Sequence, residues 1–384
     1  MANTFLVPPQ IVYGENALSD GMKFVKNAGK KALIVTDNVM VKIGNVKRLE
    51  DELKRVDVED YIYDEINAEP TDVMVNKGVN LYKKQHCDFI IAIGGGSPID
   101  AMKAIGVVVG NGGEIVDYFG KEIPNATPPL VAIPTTAGTG SEATAVTVIT
   151  DTQNDIKMMF LDPVLVPNLA IVDPAFTLTM PLGVTVATGV DALTHAIEAY
   201  TSKKSHPLTD LFAMSAIKRI YNNFLKVYND PENMHARSEM LLGSMEAGVA
   251  FHNSSVTIVH GMSRPIGALF GVPHGLSNAM LLKDCLLFIK QGAEDKFAQL
   301  AQELNFVDSS VDEALAANIF YDKMIDLLVA LEIPTLEEFG VNKEEFYAQL
   351  DKMADDALES GSPGNTRNTP SKDDIIQLYK KLWD

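Results

Sequence analysis

Up to about residue 180 the sequence alternates short apolar runs with helical stretches, and past Pro181 those runs stop. KALIVTD (31–37), VEDYIYDEI (58–66), DFIIAIGGGS (88–97), PLVAIPTT (129–136) and LAIVDP (169–174) read as strands. Several are apolar on both faces, as expected of parallel strands covered by helices on either side. Segments 45–55 and 74–85 carry helical spacing between them, so the pattern predicts βαβ units in a doubly wound parallel sheet. VTVITD (146–151) and KMMFLD (157–162), joined by Gln153, Asn154 and Asp155, read as a hairpin beside that sheet. Beyond Pro181, segments 206–230, 234–251, 273–291, 311–331, 343–359 and 371–383 have helical periodicity. The chain therefore divides into an α/β domain, 1–180, and an all-helical domain, 181–384, with a cleft between them as the default ligand site.

Composition removes several functional classes. Asp and Glu number 51 against 32 Lys and Arg, a net charge of -19 that disfavours nucleic acid and anionic membranes as partners. Cys87 and Cys285 are the only cysteines, too few for a disulfide framework or a thiolate zinc cluster. The opening MANTFLVPPQ lacks the basic and apolar regions of a secretory signal, and no apolar run is long enough to span a bilayer. A cytoplasmic location is expected.

Two polar loops end buried strands. Gly94, Gly95 and Gly96 are followed by Ser97, Pro98 and Asp100, with Ser97 suited to cap a helix, Pro98 to its first position and Asp100 to its third. Such a helix start offers N–H donors and positive dipole to a pyrophosphate, although this is not a GxGxxG motif. IPTTAGTGSEATA (133–145) sets Thr135, Thr136, Thr139 and Ser141 among glycines at another strand end, suited to phosphate, ribose or carboxamide. Each loop alone also reads as an ordinary tight turn; together in one sheet they favour a nucleotide. Asp37, which ends the first strand candidate (31–37), can accept from an adenosine ribose and repel a 2′-phosphate, favouring NAD over NADP, or can be an ordinary turn or helix-cap residue.

A candidate metal set lies in the helical half. GVDALTHAIEAY (189–200) places Asp191 and His195 four residues apart, on one helix face. VHGMSRPIGALFGVPHG (259–275) adds His260 and His274. One carboxylate and three imidazoles suit a divalent transition metal. Both segments are mostly apolar, where an unpaired ionisable group is costly. His206 and His235 sit in polar stretches and read as surface residues, His86 ends a polar helix, and His252 is ambiguous.

GGGSPID, IPTTAGTGSE, the Asp–Pro to Met–Pro stretch between Asp173 and Pro181, GVDALTHAIEAY and the HGM…PHG pair occur in one order over essentially the whole chain. Together they resemble the iron-containing (group III) alcohol dehydrogenases. The resemblance implies a Rossmann-like N-terminal domain, an all-helical C-terminal domain and a dehydroquinate synthase-like fold. It implies Fe(II), with Zn(II) as the near alternative, and NAD in the cleft, and homodimers or larger assemblies. By resemblance Asp191, His195, His260 and His274 fall on metal ligands, and Gly94, Gly95, Gly96 and Ser97 on the pyrophosphate loop. Thr135, Thr136, Thr139 and Ser141 fall on nucleotide contacts, Lys157 on a lysine that reaches the cofactor, and Asp37 on the acidic position tied to NAD preference. The activity implied is reversible hydride transfer between NAD(H) and a small primary alcohol, aldehyde or diol, of the lactaldehyde/propanediol or butanol type.

One position departs from the family. Where many members carry a second histidine four residues after the third ligand, this chain has Arg264. Buried arginines are usually paired, so an internal acid is the expected partner, and the carboxylate of an acidic substrate is the alternative. The rival activities are a hydroxy-acid or semialdehyde dehydrogenase using Arg264, a glycerol dehydrogenase-like zinc enzyme, and a lyase of the dehydroquinate synthase type. The lyase expects a richly basic pocket that these motifs lack. A catalytically inactive metal-binding or assembly-forming protein is the reading from another class.

Overall fold

The computed structural model describes residues 4–383; residues 1–3 of the opening stretch, and residue 384, lie outside it. Among the described residues, eight strands occur in chain order: β1 (Gln10–Tyr13), β2 (Lys31–Val35), β3 (Glu59–Tyr63), β4 (Phe89–Gly94), β5 (Leu130–Pro134), β6 (Val146–Asp151), β7 (Ile156–Leu161) and β8 (Leu169–Val172). Six form one parallel sheet in the order β1-β8-β5-β4-β2-β3, and β6 and β7 form a separate antiparallel hairpin. The strands expected from apolar runs are all present. β1, inside the apolar stretch FLVPPQIVYG, takes a sheet edge against β8.

Helices α1 (Ala17–Ala28), α2 (Asn38–Lys42), α3 (Asn45–Arg55), α4 (Asp72–Lys84) and α5 (Gly96–Asn111) fill the crossovers. The period of two along each strand decides which face each residue serves. Ala32, Ile34, Phe89, Ile91 and Ile93 pack with Leu18, Met22, Leu49 and Leu53 on one side. Leu33, Val35, Ile90 and Ala92 pack with Val75, Val79, Met102 and Ile105 on the other. This two-sided burial explains the near-continuous apolar strands. From β2 the chain moves outward to β3, then returns to β4 on the other side of β2, so the carboxyl ends of β2 and β4 border the switch-point crevice. The Thr36 hydroxyl donates to the Ile93 carbonyl at 2.7 Å and ties the two strand ends together.

The start of α5 differs from expectation. Gly95 is its N-cap and Gly96 its first residue, so Ser97 lies inside the first turn instead of capping it. With the helix shifted earlier, Asp100 moves past the first turn, and its carboxylate accepts from Ser141 Oγ (2.7 Å) and the Val148 N–H (2.9 Å).

After Leu182 the chain is helical: α6 (Leu182–Thr201), α7 (Pro207–Asn229), α8 (Met234–Asn253), α9 (Ile258–Phe270) and α10 (His274–Lys290), then a further set of helices to Lys381. Val190, Leu193 and Ile197 of α6 pack with Ile217, Ile220 and Phe224 of α7 and Leu241 of α8. The expected helix over 343–359 is two, Lys343–Ala348 and Leu350–Glu359, meeting at Gln349. Helix α9 escapes periodicity because it contains Pro265, and Glu294–Glu303 also lay outside the expected segments. Among the described residues, no helix is long and apolar enough to cross a membrane.

The halves meet at glycines. A Cβ on Gly138 would lie 2.6 Å from the Thr188 Cβ of α6. Gly140 has φ +60, and a Cβ there would lie 2.6 Å from the Gly248 Cα of α8. Neither contact tolerates a side chain, so the loop after β5 is pressed directly onto the helical half.

Candidate metal and cofactor site

The glycine and threonine loops face each other. Gly94 pairs in register with Pro134, and the Thr135 N–H donates to the Gly94 carbonyl at 2.9 Å. Positions for a Cβ on Gly95 and Gly96 fall 3.5 Å from Thr136 and 3.0 Å from the Thr139 methyl. Gly94 has φ +154, a conformation that suits glycine, and a Cβ there would meet Pro98 at 2.6 Å. No side chain caps the start of α5. Its first N–H groups therefore stay available, with the helix dipole behind them, for a phosphate.

Other residues expected at the nucleotide have defined surroundings. Asp37 caps α2, one carboxylate oxygen accepting from Val39 and Met40 N–H at 2.8 and 3.0 Å. Ser141 is buried, and its hydroxyl donates to Asp100 at 2.7 Å and accepts from Lys103 Nζ at 3.1 Å. Lys103 is fully buried, and burial outweighs its acidic neighbours to lower its pKa to about 8. It also donates to Thr144 O, Thr144 Oγ1 and Val146 O. Lys157 lies exposed on β7, 2.6 Å from Glu69. His252 is drawn inward; its Nδ1 accepts from the Ala145 N–H at 3.5 Å, and burial lowers its pKa to about 4.

In the helical half, Asp191 and His195 share one face of α6, and His260 approaches from α9. One ligand atom from each lies within 4.8 Å of the others. All three residues are buried. Asp191 Oδ1 is 3.4 Å from His260 Nε2, 3.6 Å from His274 Nε2 and 3.9 Å from His195 Nδ1. Two ligands bound to one metal at tetrahedral geometry stand roughly 3.4 Å apart. His274, at the start of α10, has a side chain that is 45% exposed and forms the open rim of the set. The His195 ring stacks on His260 (4.2 Å between centroids) and on Phe251 (4.3 Å).

Two residues that the motifs did not single out organise this set. Glu198 is buried and accepts from Thr257 Oγ1 (2.7 Å), the Val259 N–H (2.7 Å) and His260 Nδ1 (2.6 Å). That bond puts the His260 proton on Nδ1 and turns the Nε2 lone pair toward Asp191. Glu198 lies three residues after His195 and seven after Asp191, so helical spacing would have revealed it. Asn278, four residues after His274, directs Nδ2 at Asp191 Oδ1 (2.7 Å), His260 Nε2 (3.2 Å) and His274 Nε2 (3.3 Å). An amide has two N–H donors for these three atoms, while its own Oδ1 is buried without a partner.

The electrostatics suit a cation. Burial pushes the Asp191 pKa up, but the surrounding imidazoles hold it well below the usual carboxylate range. Burial outweighs Asp191 in lowering His195 to about 3, leaving a neutral ring whose Nδ1 has no hydrogen bond. For His260, burial is overcome by Glu198 and Asp191, which raise it to about 9. A divalent metal would replace that extra proton as the counter-charge, so the donor set fits one.

Arg264 has no internal acid partner. It is half-buried on α9, and no hydrogen bond or ion pair joins it to another described residue. Burial lowers its pKa, partly offset by Glu198.

A parallel sheet with an uncapped helix start, pressed onto a bundle holding a buried carboxylate and imidazoles, fits an enzyme that uses a metal and a nucleotide. Residues 8–174 match the family model described as iron-containing alcohol dehydrogenase, and residues 185–383 match that family's C-terminal model. The chain belongs to the iron-containing alcohol dehydrogenase family. It is 36% identical to an NAD-dependent methanol dehydrogenase of Bacillus methanolicus, over 98% of each chain. It is 35% identical to a lactaldehyde reductase of Escherichia coli over the full length of both. A crystal structure of a 1,3-propanediol oxidoreductase superposes with a TM-score of 0.95 at 34% identity, covering 100% of both chains.

Proposed function

We propose that this chain is an NAD-dependent, iron-using alcohol dehydrogenase and aldehyde reductase acting on small primary alcohols, aldehydes or diols. The buried Asp191–His195–His260 cluster, rimmed by His274, is the observation that carries the reading. These four residues hold the metal. Gly94, Gly95, Gly96 and Ser97 receive the pyrophosphate, with Thr135, Thr136 and Thr139 along the nucleotide and Lys157 at its outer side. The second carboxylate oxygen of Asp37 takes the adenosine ribose. Residues 1–180 serve as the NAD domain and 181–384 as the metal and substrate domain; support comes from the strand-to-helix change between Val172 and Leu182.

When bound, the iron supplies Lewis acidity to the substrate oxygen, and the nicotinamide exchanges hydride with the attached carbon. The protein's part is positional. Glu198 fixes the His260 tautomer, Asn278 orients Asp191, and Phe251 covers the His195 ring and shields it from water. The enzyme acts in the cytoplasm as a homodimer or larger assembly, with the exposed edge of β1 as a pairing surface. Its charge of -19 argues against a nucleic-acid partner.

The test is NADH oxidation with a panel of short aldehydes, using Fe(II)-loaded protein prepared without oxygen. Turnover abolished by chelation and by His260→Ala is the expected result. Turnover that survives both would refute the metal assignment.

A further inference from the structure

Arg264 is the only permanently charged residue of α9 (IVHGMSRPIGALF). It stands one helical turn beyond His260, on the same face. It is half-buried and makes no hydrogen bond or ion pair within the described chain. On α9 it follows His260 by four residues, and the buried Ser263 and Pro265 flank it, which sets it next to the metal cluster along the same helix. A guanidinium withdrawn from water without a partner is costly, and its planar fork matches a carboxylate.

We propose that Arg264 anchors a carboxylate at the far end of the substrate, so that the substrates are short ω-carboxylated aldehydes and the corresponding hydroxy acids. This rests on the dehydrogenase reading above and narrows it. Four residues of helix rise by about 6 Å. That span separates the reacting oxygen, held near His260, from a carboxylate at Arg264 by a short aliphatic spacer. The aldehyde takes a hydride from NADH and a proton from solvent to give the alcohol and NAD+; the carboxylate binds and takes no part in the transfer. A ring of neutral side chains at this point would leave such a substrate's charge unpaired, whereas Arg264 rewards it and disfavours cationic substrates.

The experiment compares succinic semialdehyde with butanal on iron-loaded wild type, Arg264→Gln and Arg264→Lys. It also measures calorimetric binding of 4-hydroxybutanoate and 1-butanol, which needs no turnover. The ratio of kcat/KM for the acidic over the neutral aldehyde is expected to fall about tenfold to a hundredfold in R264Q, with partial recovery in R264K. Hydroxybutanoate binding should weaken in step, while butanol binding shifts far less. If butanal is reduced and neither the ratio nor hydroxy-acid binding changes by more than about twofold, the anchor is refuted and the dehydrogenase stands. If neither aldehyde is reduced but hydroxybutanoate binding still depends on Arg264, the dehydrogenase reading fails and the anchor stands.

Discussion

Glu198→Gln isolates the role of a residue that never touches the ion. The substitution preserves shape and still accepts from Thr257 Oγ1 and the Val259 N–H, both now 2.7 Å from the carboxylate. Each bond changes from charge-assisted to neutral, a weakening of about 1 kcal/mol apiece, so stability should fall by about 2 kcal/mol. The larger effect is at His260. If Gln turns its amide N–H toward Nδ1, that nitrogen becomes an acceptor and the ring proton moves to Nε2, the atom facing Asp191. A protonated Nε2 cannot ligate, so the metal must first force the tautomer or the amide back. Loss of such an outer hydrogen-bond partner costs about tenfold to a hundredfold in metal affinity, or about 1.4–2.8 kcal/mol. Competition against a fluorescent chelator reads affinity, and urea unfolding of the same samples reads stability. An unchanged metal affinity in a folded E198Q would refute the tautomer argument.

Three further outcomes follow from the described geometry. Gly140→Ala places a methyl in a left-handed conformation against the Gly248 backbone, and should lower stability by about 2–4 kcal/mol in denaturant unfolding; a wild-type midpoint would contradict the close approach. Burial raises the Glu142 pKa from 4.5 to about 7, so its stabilising contribution is complete below about 4.5 and is lost as pH rises through about 7. Glu142→Gln should therefore gain about 3 kcal/mol relative to wild type between pH 4.5 and pH 8, measured as paired unfolding curves, and a pH-independent difference would count against it. Asp37→Ser keeps a cap for α2 but removes the charge, so the NADPH-to-NADH ratio of kcat/KM should rise at least about tenfold; a constant ratio would remove Asp37 from cofactor choice.

Regular, two-sided burial made the sheet legible in sequence. β2, β4 and β5 are buried along nearly their whole length, so their apolar runs announce them. β1 is nowhere fully buried, as its place at the sheet edge allows, and the apolar stretch FLVPPQIVYG that contains it is what marks it in the sequence. Helix α9 was hidden for a different reason: Pro265 and two glycines break the propensity pattern, while tertiary contacts such as Tyr379 Oη donating to the Met262 carbonyl (2.8 Å) hold the turn in place. The Asp191–His195–His260 cluster was legible because ionisable groups in apolar helices stand out. Asn278 was not, since a lone amide carries no chemical signature until its three neighbours converge on it. The start of α5 shows the limit of motif reading: Ser97 has the chemistry of a cap, but Gly95 takes that position and Ser97 falls inside the first turn.

Helix α8 joins two responsibilities. Toward its C-terminal end Gly248 receives the loop that follows β5, and one turn later Phe251 presses on the His195 ring. The parts that must agree in position for hydride transfer are thus braced by a single rod. Arg264 rides on a different element, one already interrupted by proline. Substitution at Arg264 can therefore explore new substrates without loosening the brace, and an engineer randomising that one position should recover many folded, metal-loaded variants, whereas libraries at Gly140 or Gly248 should yield few.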